Sequence, residues 1–526
     1  MDNSNNRKLA GAAIIVMIST ILSRITGYLR EMLISNRLGV GDVGDAYNVA
    51  FNIPDLMYYM ILGGSIAAAL IPVLSGYIEK KDEEEGWKAI GTFINVSFLA
   101  MVIFCILGMI FTNELISLLA QGFKQKNEAT QLLAVKLTRI LFPSVSFLML
   151  AGLCNGVLNS YHRFTAAAFG PVIYNLGGVL SLLVFGSNTP RGAERVAYGV
   201  MASAFVYFVF QAAIAFKNLK YYRFSIHLSH PGFRRLFKLA LPSLVSSSVV
   251  QVNVMISTWF ATFAAAGSLT LYNNANRTWQ LPLGIFAQSM GVTLLPTLSA
   301  NAAVGNYKDY KGILMKGIKM VLIFSIPSAV ALIVLREPII RTLFKFSSKF
   351  TEESVAKTSF ILVFFSLGLV AQSIVAIMTR AFYAVNDTKT PLFLGSSTIV
   401  INFVLSYIFF NMTALSVAGM ALAYSVSSMF YAITLMIILN KRISGLEAGN
   451  MAYFLIKILL SAAVMGLVLY PLNRVLPVDI NSKISQVLFL GFETAAGALV
   501  FFALVLITRV DVGLYVLNIL KNKIKR

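Results

Sequence analysis

Long apolar stretches divided by short polar segments recur along the whole chain; Ala89–Phe111, Phe164–Phe185, Met320–Leu335 and Ile484–Thr508 are examples. A helix needs roughly 20 apolar residues to cross a hydrocarbon core of about 30 Å. The pattern therefore predicts an all-α polytopic membrane protein with about fourteen transmembrane helices. The expected spans are 8–36, 46–77, 87–112, 130–160, 164–186, 193–216, 234–263, 267–302, 310–335, 354–385, 389–411, 414–440, 450–472 and 484–508. The first follows Arg7 and Lys8 but carries Arg24, Arg30 and Glu31, with no small-residue cleavage site before the next span, so it reads as a retained helix rather than a signal peptide.

Two echoes along the chain share one offset. Ala69-Leu-Ile-Pro-Val-Leu-Ser75 matches Thr293-Leu-Leu-Pro-Thr-Leu-Ser299, a proline offset of 296 − 72 = 224, and Gly156-Val-Leu-Asn-Ser-Tyr-His-Arg163 stands the same distance before Arg380-Ala-Phe-Tyr-Ala-Val-Asn-Asp387. Two six-helix lobes follow, parallel repeats about a pseudo-two-fold axis normal to the membrane. The expected organisation is an N-terminal lobe over 1–216, a cytoplasmic interlobe linker over 217–233, a C-terminal lobe over 234–440, and an appendix over 441–526. The appendix holds spans thirteen and fourteen, two extra C-terminal helices, and a basic cytoplasmic tail. Prolines within or beside the spans (Pro54, Pro72, Pro143, Pro242, Pro282, Pro296, Pro327) remove backbone donors and bend helices, which suits lobes that rock between inward-open and outward-open states.

Composition sharpens this picture: of 526 residues, 57% are hydrophobic and only 12% charged, which excludes a soluble fold of this size. The net charge of +21 does not indicate nucleic acid, because the Lys and Arg residues sit in short segments between spans. With a cytoplasmic N-terminus, the inside segments hold Lys80, Lys81, Lys88, Arg163, Lys217 to Lys238, Lys308, Lys311, Arg380, Lys389, Lys441, Arg442 and the tail Lys521 to Arg526. These outnumber the basic residues outside, as the positive-inside rule requires, and both termini are then cytoplasmic. Cys105 and Cys154 lie in apolar runs and read as packing residues. His162, His227 and His230 lack the spacing of a metal site or of a nucleophile and its base, which argues against a membrane enzyme; no metal site is expected.

A charge at the bilayer centre costs about 2.5–3.5 kcal/mol on insertion scales, so embedded charges face a cavity or a partner. Arg24 and Arg30 stand about 9 Å apart along one helix and about 120° apart in projection, able to line one broad wall. Arg277 lies in Tyr272-Asn-Asn-Ala-Asn-Arg277, and no acidic residue occurs from Pro231 to Ala300. Guanidinium groups suit phosphate oxygens, because their planar fork of donors makes bidentate charge-assisted bonds. Snorkelling or internal pairing is the plainer reading of any one arginine; the set points to a diphosphate ligand. Asp45, after the Gly39–Gly44 turn, reads as a cap for the next helix, and Glu31 as an interfacial pairing partner.

Ser23-Arg-Ile-Thr-Gly-Tyr-Leu-Arg-Glu31, followed by Gly44-Asp-Ala-Tyr-Asn-Val-Ala-Phe-Asn-Ile-Pro-Asp55, resembles the MurJ (MviN) lipid II flippases of the multidrug/oligosaccharidyl-lipid/polysaccharide exporter superfamily. Similar blocks follow in the family's order: Leu158-Asn-Ser-Tyr-His-Arg-Phe164, Asn276-Arg-Thr-Trp-Gln-Leu-Pro-Leu-Gly284 with Leu294-Leu-Pro296, and Arg380-Ala-Phe-Tyr-Ala384 with Lys389-Thr-Pro391. The resemblance implies fourteen helices and a central cationic cavity in which Arg24, Arg30 and Arg277 bind the headgroup of lipid II. It also implies a groove toward spans thirteen and fourteen for the lipid tail, a bacterial cytoplasmic membrane location and cell-wall synthesis machinery as a neighbour. Asp45 also matches a family position. An exporter of another polyprenyl-diphosphate-linked glycan would share most of these motifs.

The chain departs from the family in three places. Met57-Tyr-Tyr59 stands where many members carry Arg, so Tyr58 and Tyr59 are the candidates to compensate; Leu62-Gly-Gly-Ser65 lacks an acidic residue; and Asn276 stands where one is common. No Asp or Glu occurs between Pro391 and Asn440, which argues against a carboxylate sodium site there. No cofactor is expected, and the expectation for coupling is the membrane potential acting on the charged cavity, or an ion.

Overall fold

The computed structural model describes residues 3–62, 69–443, 445, 449–475 and 482–511. Residues 63–65 of the Leu62–Ser65 stretch and the basic tail Lys521–Arg526 lie outside them. Every regular element described is helical, as lipid demands, since a helix satisfies its backbone N–H and C=O groups within its own segment. The order is α1 (Asn3–Leu33), α2 (Asp42–Leu62), α3 (Ile71–Glu79), α4 (Glu83–Ile110), α5 (Thr112–Leu119), α6 (Gln121–Lys126), α7 (Glu128–Ser160), α8 (Phe164–Phe185), α9 (Pro190–Ala215) and α10 (Pro231–Thr262). Then come α11 (Ser268–Pro282), α12 (Ser289–Ala303), α13 (Tyr307–Val334), α14 (Arg336–Phe344), α15 (Glu352–Ala384), α16 (Lys389–Asn411), α17 (Val417–Arg442), α18 (Gly449–Val475) and α19 (Lys483–Ile507).

Among the described residues, 11 helical segments are long and apolar enough to cross a membrane, one of them the continuous stretch Ser268–Ala303 that joins α11 to α12 through a π-helical turn. The other three expected spans fall on α1, on α2 with α3, and on α10. In α2 the apolar character is diluted by Asp42, Asp45 and Asp55.

Local chemistry sets the helix ends. Asn127 caps α7 by accepting from the Thr130 N–H, Thr189 caps α9 ahead of Pro190, Thr351 caps α15 and Ser482 caps α19. Beyond α7 and α15 the chain turns through left-handed residues, His162 (φ 57°) and Asn386 (φ 60°).

The chain forms two compact units, Met1–Thr270 and Leu271–Arg526. In the first, α7 packs on α2, α4, α5 and α9, and α8 packs on α1 and α9; in the second, α15 packs on α12, α13, α14 and α17, and α16 packs on α17. The offset found in the sequence reappears in the helix boundaries: α7 and α15 both have 33 residues and begin at 352 − 128 = 224, while α4 and α13 both have 28 and begin at 307 − 83 = 224. The packing of α7 on α4, α5 and α9 is thus repeated by α15 on α13, α14 and α17. The division by packing falls after α10, whereas the repeat divides the chain before it: α10 packs on α2 and α4 within the first unit.

The segment leading to α10 is strapped along α4. The Asn95 amide donates to the Ser225 carbonyl (2.9 Å), Tyr222 Oη bonds Asn95 Oδ1 (2.6 Å), and the His227 N–H donates to Thr92 Oγ1 (3.0 Å). His230 caps α10 by accepting from the Gly232 N–H at Nδ1, and its Nε2 lies 2.9 Å from Glu85. The histidines of this stretch therefore fasten the strap.

Helices α8 and α9 meet through small residues, the membrane solution for close backbone approach. A Cβ at Gly177 would run into Ser203, one at Gly199 into Ser181, and one at Gly170 into the Tyr207 ring. Gly177→Leu is expected to force α8 off α9 and to lower the thermal midpoint in detergent by several degrees, the effect of roughly 1–3 kcal/mol of overpacking; an unchanged midpoint would refute this contact.

In the second unit the turn after α15 is held by Asp387, which accepts from the Thr390 N–H (3.0 Å) and hydroxyl (2.7 Å) and pairs with Arg442. Burial alone would raise this carboxyl, but the Thr390 donors and the Arg442 guanidinium outweigh it and hold it below the ordinary carboxylate value. Its contribution to stability is then present above the unfolded carboxylate pKa and disappears as pH falls through the lowered one. Acid titration of Asp387→Asn against the parent chain is expected to show that loss only in the parent.

Candidate functional site

Helix α1 presents Arg24 at the surface of a cavity of about 670 Å³ in the first unit. Thr20 and Ser23 line it from α1, Asn155 and Asn159 from the end of α7, and Phe164 and Pro171 from α8. The lining contains no carboxylate, and among the described residues no acidic group pairs with Arg24. The wall is held from below: Asn175 of α8 donates to the Ser23 carbonyl (3.2 Å) and hydroxyl (3.3 Å), and Asn159 Nδ2 donates to Asn155 Oδ1 (2.8 Å), whose own amide donates to the Ala167 carbonyl (3.2 Å). The arrangement offers an exposed guanidinium fork beside amide and hydroxyl groups, donors suited to phosphate and sugar oxygens.

Arg30 does not share this wall. It turns toward α8, with its guanidinium 5.8 Å from the Tyr174 ring centroid and 3.7 Å from Glu31, in space left open by Gly178, where a Cβ would meet the arginine stem. The rotation of about 120° that separates the two arginines therefore carries them into different surroundings. Glu31, expected to pair at the interface, pairs with its own neighbour Arg30 and is buried.

Arg277 is exposed on α11 in the second unit. Its neighbour Asn276 is held inward: the Asn276 side-chain oxygen accepts from Trp279 Nε1 (2.9 Å) and Gln280 Nε2 (2.9 Å). Trp279 is itself buried and stacks on Phe365 with centroids 5.8 Å apart. Asn276 thus fixes the turn of α11 from which Arg277 projects. Where many family members carry arginine, Tyr58 packs on the apolar core around Trp87 and Met149, while Tyr59 remains 42% exposed.

Asp45 corrects the sequence reading of its role. It lies inside α2, 2% exposed, and its carboxylate accepts from the Gly267 N–H (2.7 Å), the Thr270 N–H (2.9 Å) and the Thr270 hydroxyl (2.7 Å). It caps the start of α11, more than two hundred residues away, where free N–H groups and the helix dipole favour an anion. Around it Asn48 bonds Thr270 Oγ1, Asn127 bonds Asp42, the Gly122 N–H donates to Thr262, and Lys126 donates to the Phe263 carbonyl. One end of the first unit is thereby latched. Sequence reasoning passed over this latch and over Asn155 and Asn159; for the latter, two amides one helical turn apart in an apolar span were the available signal.

The family profile described as lipid II flippase MurJ matches residues 34–485. A probable lipid II flippase MurJ of Buchnera aphidicola is 29% identical over 91% of this chain and 93% of its own length, and the lipid II flippase MurJ of Burkholderia cenocepacia is 27% identical over 80% and 82%. Among solved structures, a lipid II flippase MurJ in an inward closed conformation is similar with a TM-score of 0.77 and 26% identity, covering 94% of this chain and 99% of that one. An inward-facing multidrug resistance MATE family transporter shares the fold at a TM-score of 0.69 and 18% identity, covering 82% and 99%. A profile that spans most of the spans, the order of the motifs and this likeness agree: the chain is a multi-pass membrane protein that belongs to the MurJ lipid II flippase family.

Proposed function

We propose that this protein flips lipid II, the polyprenyl-diphosphate-linked peptidoglycan precursor, from the cytoplasmic to the outer leaflet by alternating access. The observation that carries the reading is the carboxylate-free cavity with Arg24 at its wall, in a chain of this family. Diphosphate oxygens engage Arg24, the sugar meets the amides of Asn155 and Asn159, and the tail stays in lipid. No bond is made or broken, so the work is transport rather than catalysis.

In this reading the chain sits in the bacterial inner membrane with both termini cytoplasmic, as its basic segments suggest. The Asp45 latch then closes the outer end while the headgroup loads from inside, and its release opens the way out, where cell-wall polymerising machinery takes the product. An inside-negative potential favours return of the emptied cationic cavity, by about 2.3 kcal/mol per charge that crosses 100 mV.

The test reconstitutes the protein in liposomes with lipid II loaded in one leaflet and follows headgroup exposure to an external modifying enzyme. Protein-dependent exposure of lipid II, faster than that of another polyprenyl-diphosphate glycan, is the expected result; no exposure above empty liposomes would refute the proposal.

A further inference from the structure

The second unit contains another cavity, of about 390 Å³, where the end of α13 and α14 meet the last turn of α18 and the first half of α19. Its chemistry is divided. Arg336, Arg341 and Arg474 line it with Asn473 and Gln486, and two carboxylates line it as well, the exposed Glu337 from α14 and Glu493 from α19. Arg341 is engaged with Glu352. Arg336 donates to the Ile333 carbonyl (3.0 Å) and Arg474 lies over the Tyr470 ring (4.5 Å), and neither pairs with a carboxylate among the described residues. Each guanidinium has five N–H donors, so both retain capacity for an anion.

Glu493 is the unusual member. It stands about 15 Å from the start of α19, is 2% exposed, and its Oε1 is buried with no hydrogen-bond partner. A buried carboxyl without a partner is unfavourable unless a cation or donor reaches it. The arginines of the same cavity do not, since no ion pair forms between them and Glu493. Beside the cavity α18 and α19 turn large apolar side chains outward: Leu467, Ile484, Val487, Leu488 and Phe492 are all exposed. The place therefore presents anion donors, a buried acceptor that lacks a donor, and a greasy flank.

We propose that this cavity binds the headgroup of an aminophospholipid, with the phosphate on Arg336 and Arg474, the primary ammonium on Glu493 and the acyl chains along the exposed flank of α18 and α19. A phosphatidylethanolamine head carries both charges and three N–H donors. A phosphatidylcholine head cannot donate a hydrogen bond to Glu493, and a phosphatidylglycerol head lacks the cation. The site is separate from the Arg24 cavity and does not depend on the transported substrate.

The test uses the full chain in detergent, with dioleoyl-phosphatidylethanolamine, -phosphatidylcholine or -phosphatidylglycerol added, and counts retained lipid by native mass spectrometry. The parent is expected to retain phosphatidylethanolamine about tenfold over the other two, the scale of one charge-assisted hydrogen bond. Glu493→Gln is expected to abolish that preference, and Arg474→Ala, at the exposed end of α18, to lower retention of all three lipids. Excess glycerophosphoethanolamine is expected to displace the lipid, whereas equal displacement by inorganic phosphate would assign the site to phosphate alone and overturn the ammonium contact. Equal retention of the three lipids by the parent, or a preference that survives in Glu493→Gln, would also overturn the proposal.

Discussion

Arg24→Ala is expected to reduce lipid II headgroup translocation by about ten- to a hundredfold, the loss of one charge-assisted hydrogen bond at roughly 1.5–3 kcal/mol. Folding should be untouched, because Arg24 is exposed, lines a cavity and has no ion-pair partner among the described residues. Arg24→Lys keeps the charge but loses the planar fork, so an intermediate rate is expected. Arg30→Ala should behave differently, lowering the thermal midpoint as well as transport, because its guanidinium sits against Tyr174 and Glu31. Liposome translocation measured beside thermal unfolding separates the two cases. Full transport by Arg24→Ala would remove the phosphate contact from the mechanism.

Asp45→Ala is expected to destabilise the first unit by about 3 kcal/mol, since it strands two backbone N–H groups and a hydroxyl that the carboxylate now satisfies. Asp45→Asn should recover part of this, because one amide oxygen still accepts while the amide nitrogen faces donors. If the latch gates the outer end, both variants should expose Thr270→Cys to a membrane-impermeant thiol reagent faster than the parent does, and both should slow net transport. Stability lost without any change in labelling would leave Asp45 a purely structural cap. Because its three hydrogen bonds lie in a buried setting, salt should screen the effect little.

The succession of helices, the repeat and the family were legible in the sequence because each rests on local or additive properties. Apolar character accumulates residue by residue, a helix in lipid satisfies its own backbone, and the 224-residue offset of the proline motifs survives as equal helix lengths in α7 and α15. The exposed place of Arg24 was likewise within reach, since a charge in an apolar span needs a cavity or a partner.

Only the tertiary structure decided which arginine does what, because six residues of helix rotation place Arg24 beside Asn155 and Arg30 against Tyr174, and the neighbours come from helices more than a hundred residues away. The same holds for Asp45, whose partners are Gly267 and Thr270, and for Glu493, whose isolation exists only because α19 folds it inward. Hydropathy along a chain reports whether a segment leaves water. The partner a buried charge finds depends on which distant segment packs against it, and that is a property of the fold.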